Sequence, residues 1–308
     1  MTADREIIGI DHGNRNIKSY RHIFSASVAS LPSRPDNPEN VLEFQDRFYL
    51  IGGQSPTLET VDKTENMDYY LMTLAALAKE LKSREKRQAA VCIGAALPPR
   101  RFEEQSKGFR EYLSQHPKLF FRYEGISYQV VVENVYVFMQ GHVVIHSIQE
   151  LCKGFCLLID IGGGTVDLVG IEDGLPNGFY QIEPRATLYC IQKASEEAVA
   201  RLGKSVPAYI IESFMRNGTY DCPEKYEALI TDSLTGYTEE IYKMITGHGY
   251  NEELTRMVFM GGGASIIKHF GKNENKRVQF ISDVRANAKG CEEAVKSIQR
   301  VKSRRKPI

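Results

Sequence analysis

Ile159-Asp160-Ile161-Gly162-Gly163-Gly164-Thr165-Val166-Asp167, at mid-chain, is built like Ile10-Asp11-His12-Gly13-Asn14-Arg15-Asn16-Ile17-Lys18 near the start. Each segment is an apolar run, then Asp-x-Gly, then small or polar residues, then a second β-forming run. Glycine lets a backbone turn sharply and present its N–H groups to a ligand. After Gly164, Thr165-Val166-Asp167-Leu168-Val169 alternates like a strand. That excludes a dinucleotide-binding fingerprint, in which the glycine turn opens a helix. Gly203-Lys204-Ser205 has the tail of a Walker A loop, but Ala198 stands where the first glycine is required and a helical run precedes it. One Asp-x-Gly turn is an ordinary hairpin. Two matching copies about half a chain apart describe two strand–turn–strand phosphate loops that clamp a nucleoside triphosphate.

Working outward, Ile7 to Ile10 and Asn16 to Tyr20 read as the strands around the first loop, and Ser25 to Leu31 as another β-like run. Val41 to Phe44 and Phe48 to Ile51 read as a hairpin around Gln45-Asp46-Arg47. Met67 to Lys82 places Tyr70, Leu71, Leu74, Leu77, Ala78 and Leu81 on one helical face. Ala89 to Gly94 is a buried strand, and Phe102 to Ser114 an amphipathic helix. Phe120 to Tyr123 and Ser127 to Val132 flank Glu124-Gly125 as a second hairpin, with Val135 to Met139 a strand end and Gln140 to Leu151 a helix. Gly154 to Asp160 and Thr165 to Ile171 surround the second loop. Helices follow over Ile191 to Leu202, Ala208 to Arg216 and Tyr226 to Ile245. Met257 to Met260 is a buried strand, Phe280-Ile281 the last strand and Val284 to Arg300 the last helix, followed by a basic tail at 301–308. Strands alternating with helices make the class α/β, and no short-period repeat supports a solenoid.

The chain has 308 residues, 42% of them apolar, which suits one large or two medium domains and is too apolar for a disordered chain. Lys plus Arg and Asp plus Glu are equal at 39 each, so nothing global argues for direct DNA or membrane binding. The N-terminus lacks a signal-peptide pattern, and the longest apolar runs, such as Phe155 to Ile159, are far too short to cross a bilayer. A soluble, cytoplasmic protein is expected. The six cysteines sit mostly in apolar runs and read as free thiols, and Cys152-x-x-x-Cys156 lacks the second ligand pair of a zinc site.

In the first loop, Asn14 and Asn16 can donate hydrogen bonds, and Lys18 lies within reach of a phosphate as a point charge. An acidic Asp11 inside a phosphate site requires a cation between the two, which points to a Mg²⁺-bound water. Asp160 is the matching carboxylate, since Mg²⁺ keeps several waters and takes one or two carboxylates directly or through water. A third cluster, Phe259-Met260-Gly261-Gly262-Gly263-Ala264-Ser265, runs from a buried strand into a helix start, where backbone can lie flat against a ribose, a base or a phosphate.

Four segments together carry a resemblance. They are Ile8-Gly9-Ile10-Asp11-His12-Gly13-Asn14, Val135-Tyr136-Val137-Phe138-Met139-Gln140-Gly141, Leu158 to Asp167, and Met260-Gly261-Gly262-Gly263-Ala264. Their order resembles the actin, sugar kinase and heat-shock chaperone ATPase superfamily, and within it most closely the ParM-type bacterial actin-like proteins that segregate plasmids. The resemblance implies an actin-like fold of two related ribonuclease-H-like domains flanking a nucleotide cleft. Domain I would span 1–153, completed by the helix at 284–300, and domain II 154–283. It implies ATP, or GTP, with Mg²⁺. Asp11 and Asp160 would face the Mg²⁺ and its waters. Gly13, Asn14 and Lys18 would hold phosphates from one side, and Gly162, Gly163, Gly164 and Thr165, with Asp167, from the other. Gln140 would orient the attacking water, Glu133 being the alternative if a carboxylate base is needed. Gly261, Gly262 and Gly263 would lie beside the adenosine, with Glu212 a candidate for the base pocket. His12 stands where many members carry an aliphatic residue. The implied activity is a filament-forming ATPase, partnered by further copies of itself and by a DNA-binding adaptor on a centromere-like site, with no membrane. The alternatives are a small-molecule kinase of the same superfold and a non-polymerising actin-like scaffold.

Overall fold

The computed structural model describes residues 5–53, 62–147, 154–271 and 275–304. The chain divides into two compact units, residues 1–147 with 285–308, and residues 148–284.

Unit 1 is built on a nine-stranded sheet in the order β3-β2-β1-β7-β9-β8-β5-β6-β4. Its strands are β1 (Arg5–His12), β2 (Asn16–Ser19), β3 (Ile23–Ser25), β4 (Val28–Leu31), β5 (Val41–Phe44), β6 (Arg47–Ile51), β7 (Gln88–Leu97), β8 (Lys118–Tyr123) and β9 (Ile126–Met139). β1 and β2 are antiparallel, and β1, β7 and β9 run parallel. Side chains on β1 alternate as a pleated strand requires. Ile8 and Ile10 join the core formed with helices α1 (Asp68–Ser83) and α2 (Pro99–Ser114). Gly9 faces the other way, onto α7 (Ala286–Arg304).

α7 lies against bare backbone. A Cβ on Gly9 would stand 2.0 Å from the Ala288 carbonyl oxygen, and one on Gly94, its neighbour on β7, 2.8 Å from the Cys291 carbonyl oxygen. On the helix side, a Cβ on Gly290 would stand 2.5 Å from the Val143 carbonyl oxygen in the 3-10 helix His142–Ser147. An ion network ties the same elements. Arg84, just past α1, donates to Glu6 at 2.6 Å, to Glu292 of α7 at 3.0 Å and to Glu80 at 3.3 Å. Burial alone would raise the Glu80 pKa, but hydrogen bonds from Arg21 and Ser19 and the Arg84 charge hold it below its ordinary value.

Unit 2 carries a five-stranded sheet in the order β12-β11-β10-β13-β14. The strands are β10 (Phe155–Ile161), β11 (Val166–Glu172), β12 (Leu175–Glu183), β13 (Arg256–Met260) and β14 (Val278–Phe280). Its core packs Leu157, Ile159 and Ile161 against helices α3 (Thr187–Leu202), α4 (Ala208–Asn217), α5 (Glu224–Gly247) and α6 (Ala264–Phe270). The order repeats the β3-β2-β1-β7-β9 half of the first sheet, with an antiparallel trio followed by parallel partners. The register repeats as well: Asp11 stands opposite Lys18 and Asp160 opposite Asp167.

Several elements differ from the sequence reading. The run Ser25 to Leu31 is two short strands, β3 and β4. Ser127 to Val132 and Val135 to Met139 are one strand, β9, whose pairing with β7 shifts register between Val91 and Cys92. The helix expected over Gln140 to Leu151 is a 3-10 helix over His142–Ser147, with 148–153 outside the described residues. β12 was not anticipated; it contains Pro176 and Asn177-Gly178, residue types that usually mark turns. It lies at the sheet edge, where proline costs no ladder bond, and its pairing is irregular near Gly170. α7 runs to Arg304, into the stretch read as a tail, while 305–308 lie outside the described residues. Gly203 is the left-handed cap of α3, at φ 68°, which explains the false Walker-like tail. Cys92, Cys156, Cys190, Cys222 and Cys291 are free thiols.

Two glycine-to-alanine substitutions should act oppositely. Gly9→Ala forces backbone apart at the α7 seam and should cost about 1–3 kcal/mol. Gly108→Ala, in α2 with nothing within 4 Å of its Cβ, should stabilise by about 0.5–1 kcal/mol. Thermal or urea unfolding of both variants checks the signs, and equal effects would refute the close packing of α7.

Candidate functional site

The first half-site sits where β1 turns into β2. Asp11 is 1% exposed, on the pleat face that Gly9 shares. Its carboxylate accepts from Lys18 Nζ at 3.0 Å, a cross-strand pair of opposite charge, and from Gln140 Nε2 at 2.6 Å. Gln140 follows β9 directly. Its backbone N–H donates to the Leu97 carbonyl at 2.8 Å, and the next N–H, on Gly141, donates to Asn287 Oδ1 of α7 at 2.9 Å. The hydrogen bond to Asp11 consumes the amide nitrogen of Gln140, so its carbonyl oxygen is the end turned away. Gly13 sits tight in the turn, since a Cβ there would lie 2.6 Å from the Asn16 carbonyl oxygen.

His12 points to the opposite face, into the α1 and α2 core, with its ring 5.1 Å from that of Phe109 in an edge-on arrangement. The Thr73 hydroxyl donates to the Tyr69 carbonyl, which can only accept, so it receives its second hydrogen bond from His12 Nε2–H at 2.8 Å. Burial first, and the Lys63 ammonium second, lower the His12 pKa to about 3. Lys63 lies between β6 and α1 and donates to the His12 carbonyl and to Asn14 Oδ1.

The second half-site sits where β10 turns into β11. Gly162 N–H closes the turn on the Thr165 carbonyl at 2.9 Å. The loop carbonyls of Gly162 and Gly163 accept from Thr187 N–H at 3.2 Å and Leu188 N–H at 3.0 Å. These are first-turn amides of α3, which lacks a side-chain cap, so the loop satisfies donors the helix leaves open. Gly164 and Thr165 are exposed. Asp167 accepts from Tyr180 OH at 2.8 Å and Thr165 Oγ1 at 3.2 Å. Burial raises its pKa against those hydrogen bonds. Gly261 leaves β13 at φ 83°, and a Cβ there would meet Asp160 Oδ1 at 2.2 Å. Gly263 N–H donates to the Ile161 carbonyl at 2.9 Å, fastening the glycine turn to β10. Beyond this turn lies a pocket of about 240 Å³ lined by Arg216, Gly261, Gly262, Lys268, His269 and Phe280, among others.

Within unit 1 the structure brings together Asp11, Lys18 and Gln140. Within unit 2 it brings together Asp160 and Gly261, with Gly162 to Thr165 on the adjoining turn. Glu133 is elsewhere. It lies seven residues before Gln140 on β9, about 23 Å along an extended strand, paired with Arg5 at 2.6 Å. Glu212 is one turn before Arg216, the α4 residue that lines the pocket. Lys63, Arg216, Lys268 and His269 were missed. The last two lie one helical turn beyond the Gly-Gly-Gly-Ala-Ser run, after Ile266 and Ile267, which is signal enough, whereas nothing around Lys63 marks it.

Two family models match the chain. The family model described as the actin-like proteins N-terminal domain matches residues 9–142, and the one described as the Alp7A C-terminal domain matches residues 156–283. The chain is an actin-like protein. A crystal structure of apo pSK41 ParM matches with TM-score 0.76 at 13% identity, over 97% of this chain and 99% of that one. An Alp12 filament structure matches at 0.71 and 15%, over 96% and 99%. The archaeal actin homologue Ta0583, in complex with ADP, matches at 0.72 and 20%, over 94% and 99%. At these identities the likeness establishes an actin-like fold. No curated protein matches the chain in sequence. Among the described residues, no helix of this actin-like protein is long and apolar enough to cross a membrane.

The donor sets suit a hydrated divalent cation. Both oxygens of Asp11 already accept hydrogen bonds, which matches contact through water. Among the described residues no group of three or more acidic, His or Cys side chains is placed to hold a metal, and Mg²⁺ bound largely by phosphate and water needs none.

Buried His12 predicts a pH dependence. Its folded pKa, about 3, lies below the ordinary value near 6.5, so its contribution is complete above pH 6.5 and drains away as pH falls towards 3. His12→Gln retains a donor for Thr73 and should flatten the stability profile across that window by a few kcal/mol. Parallel denaturation profiles for the two proteins would refute it.

Proposed function

We propose that the chain is a nucleotide-dependent, filament-forming ATPase that drives plasmid DNA segregation through a DNA-binding adaptor in the cytoplasm. The observation that carries this is the repeated hairpin, in which each unit of an actin-like protein carries an aspartate next to the last residue of a buried strand, at the same register position, beside a glycine turn. ParM and an Alp12 filament share the fold, and Ta0583 does so with ADP. The two units would serve as actin-like domain I (1–153 with 284–300) and domain II (154–283), with the basic residues of 301–308 beginning on the last turn of α7.

In this reading ATP, or GTP, is held at its phosphates by Gly13, Asn14, Asn16 and Lys18 from one loop and by Gly162, Gly163, Gly164 and Thr165 from the other, with Asp167 steadying Thr165. The adenosine lies along Gly261, Gly262 and Gly263. Asp11 and Asp160 receive the waters of a bound Mg²⁺, which when present neutralises phosphate charge. Gln140 is anchored by its nitrogen to Asp11, which leaves its oxygen to accept from and aim a water. An amide is too weak a base to do more, so its role is positioning. Nucleotide contacts bias the assembly-competent state, and hydrolysis removes the bias.

Right-angle light scattering with Mg²⁺ and ATP, GTP, ADP or a non-hydrolysable analogue tests the proposal. A triphosphate-triggered rise above a critical concentration is expected, absent in Asp160→Ala. Gln140→Ala should still assemble while releasing phosphate about 10²-fold more slowly. Flat scattering despite measured nucleotide binding would overturn the filament, and nucleotide consumption that depends on a small hydroxylated acceptor would replace it with a kinase.

A further inference from the structure

The inference rests on the nucleotide reading of the first loop and adds a residue to it. Lys63 is 2% exposed, an unusual position for a lysine, and its surroundings hold it there. Asp62 Oδ1 accepts from the Thr64 N–H at 2.8 Å and hydroxyl at 2.7 Å, fixing the turn that carries Lys63. The Tyr112 hydroxyl donates to the Asn66 carbonyl at 2.8 Å, pinning the other side. The ammonium then lies 4.2 Å from the Tyr69 ring centre, and donates to the His12 carbonyl and, at 3.1 Å, to Asn14 Oδ1.

Those two acceptors dictate which way the loop's donors face. An ammonium has hydrogens only to give, so the atom of Asn14 that meets it is the amide oxygen. The same oxygen accepts from Tyr69 OH at 3.3 Å. The amide NH₂ must therefore face away from Lys63, and Asn14 is an exposed residue. The peptide between His12 and Gly13 is trans and planar. With its carbonyl turned to Lys63, the Gly13 N–H points the opposite way, towards the Asn16 carbonyl across the hairpin, which fixes the turn on which Asn14 stands. One buried cation thus braces the turn through the His12 carbonyl and orients the side-chain donor of Asn14.

We propose that Lys63 is a positioning residue for phosphate binding, holding the Asn14 NH₂ outward as a preset donor for a phosphate oxygen of a nucleoside triphosphate. A preset donor spares the loop the ordering it would otherwise undergo at binding.

Calorimetric titration of the full chain with Mg²⁺ and a non-hydrolysable ATP analogue, and separately with ADP, tests it. Asn14→Ala should weaken analogue binding about tenfold, the loss of one hydrogen bond to a charged acceptor. Lys63→Met should cost at least as much. Combining the two should cost no more than Lys63→Met alone, because the amide is no longer held. Lys63→Arg, which retains a cationic donor, should recover part of the loss. Tyr69→Phe, which removes the second donor to the amide oxygen while keeping the ring, should cost about threefold in the unaltered background and nothing with Asn14→Ala. It carries the test alone if Lys63→Met does not fold. A merely structural lysine would lower the melting temperature and leave the affinity losses additive. Additive losses, or analogue binding by Lys63→Met equal to that of the unaltered protein, overturn the inference alone. Failure of the unaltered protein to bind any nucleotide overturns the underlying reading with it.

Discussion

The approach of α7 to bare backbone at Gly9 and Gly94 is the contact on which unit 1 depends. It admits no side chain, so it fixes both the height and the rotation of the helix over β1 and β7. That placement sets Asn287 where it receives the Gly141 N–H, and so determines how β9 ends and where Gln140 stands. Asp11 then finds its amide partner at 2.6 Å. Fold and chemistry meet along this line. A helix from the far end of the chain is seated by two glycines, and a carboxylate that few water molecules reach is satisfied as a result.

The two hairpins share a register yet differ in charge. Opposite Asp11 stands a lysine, and opposite Asp160 a second carboxylate. The first pairing neutralises a deeply buried acid from within its own hairpin. The second sets two acids side by side on one strand pair, and Asp167 answers by drawing on Tyr180 and Thr165 while burial disfavours its charge. The scaffold that places an aspartate next to the last residue of a strand is common to both units, and the residue across from it differs.

Much of this was legible in the sequence because the repeated signal is local. Asp-x-Gly between two β-forming runs predicts a strand, a turn and a strand, and the register of both hairpins follows from it. The hairpin over Val41 to Ile51 was equally plain, although its turn proved to be the two residues Gln45 and Asp46, both at positive φ. What escaped was set by tertiary context. β12 contains a proline and an Asn-Gly pair that only an edge strand tolerates. Over His142–Ser147 the helix expected after Gln140 is wound more tightly, as a 3-10 helix, where Gly290 of α7 presses against Val143. Lys63 carries no pattern at all, since what matters is the loop it reaches beneath, 51 residues away.

The discontinuity of unit 1 has a consequence for how the protein is made. Unit 2 is one uninterrupted stretch, and all of its described core residues have been added to the chain before α7 is translated. Unit 1 begins first and finishes last, because the face of β1 and β7 that carries Gly9 and Gly94 acquires its α7 cover only when residues beyond 285 emerge. Until then, sheet backbone without side chains to shield it stands open on a nascent chain, the kind of surface on which chaperones act and from which misassembly starts. Synthesis therefore leaves the Asp11 half of the molecule incomplete until the last helix arrives.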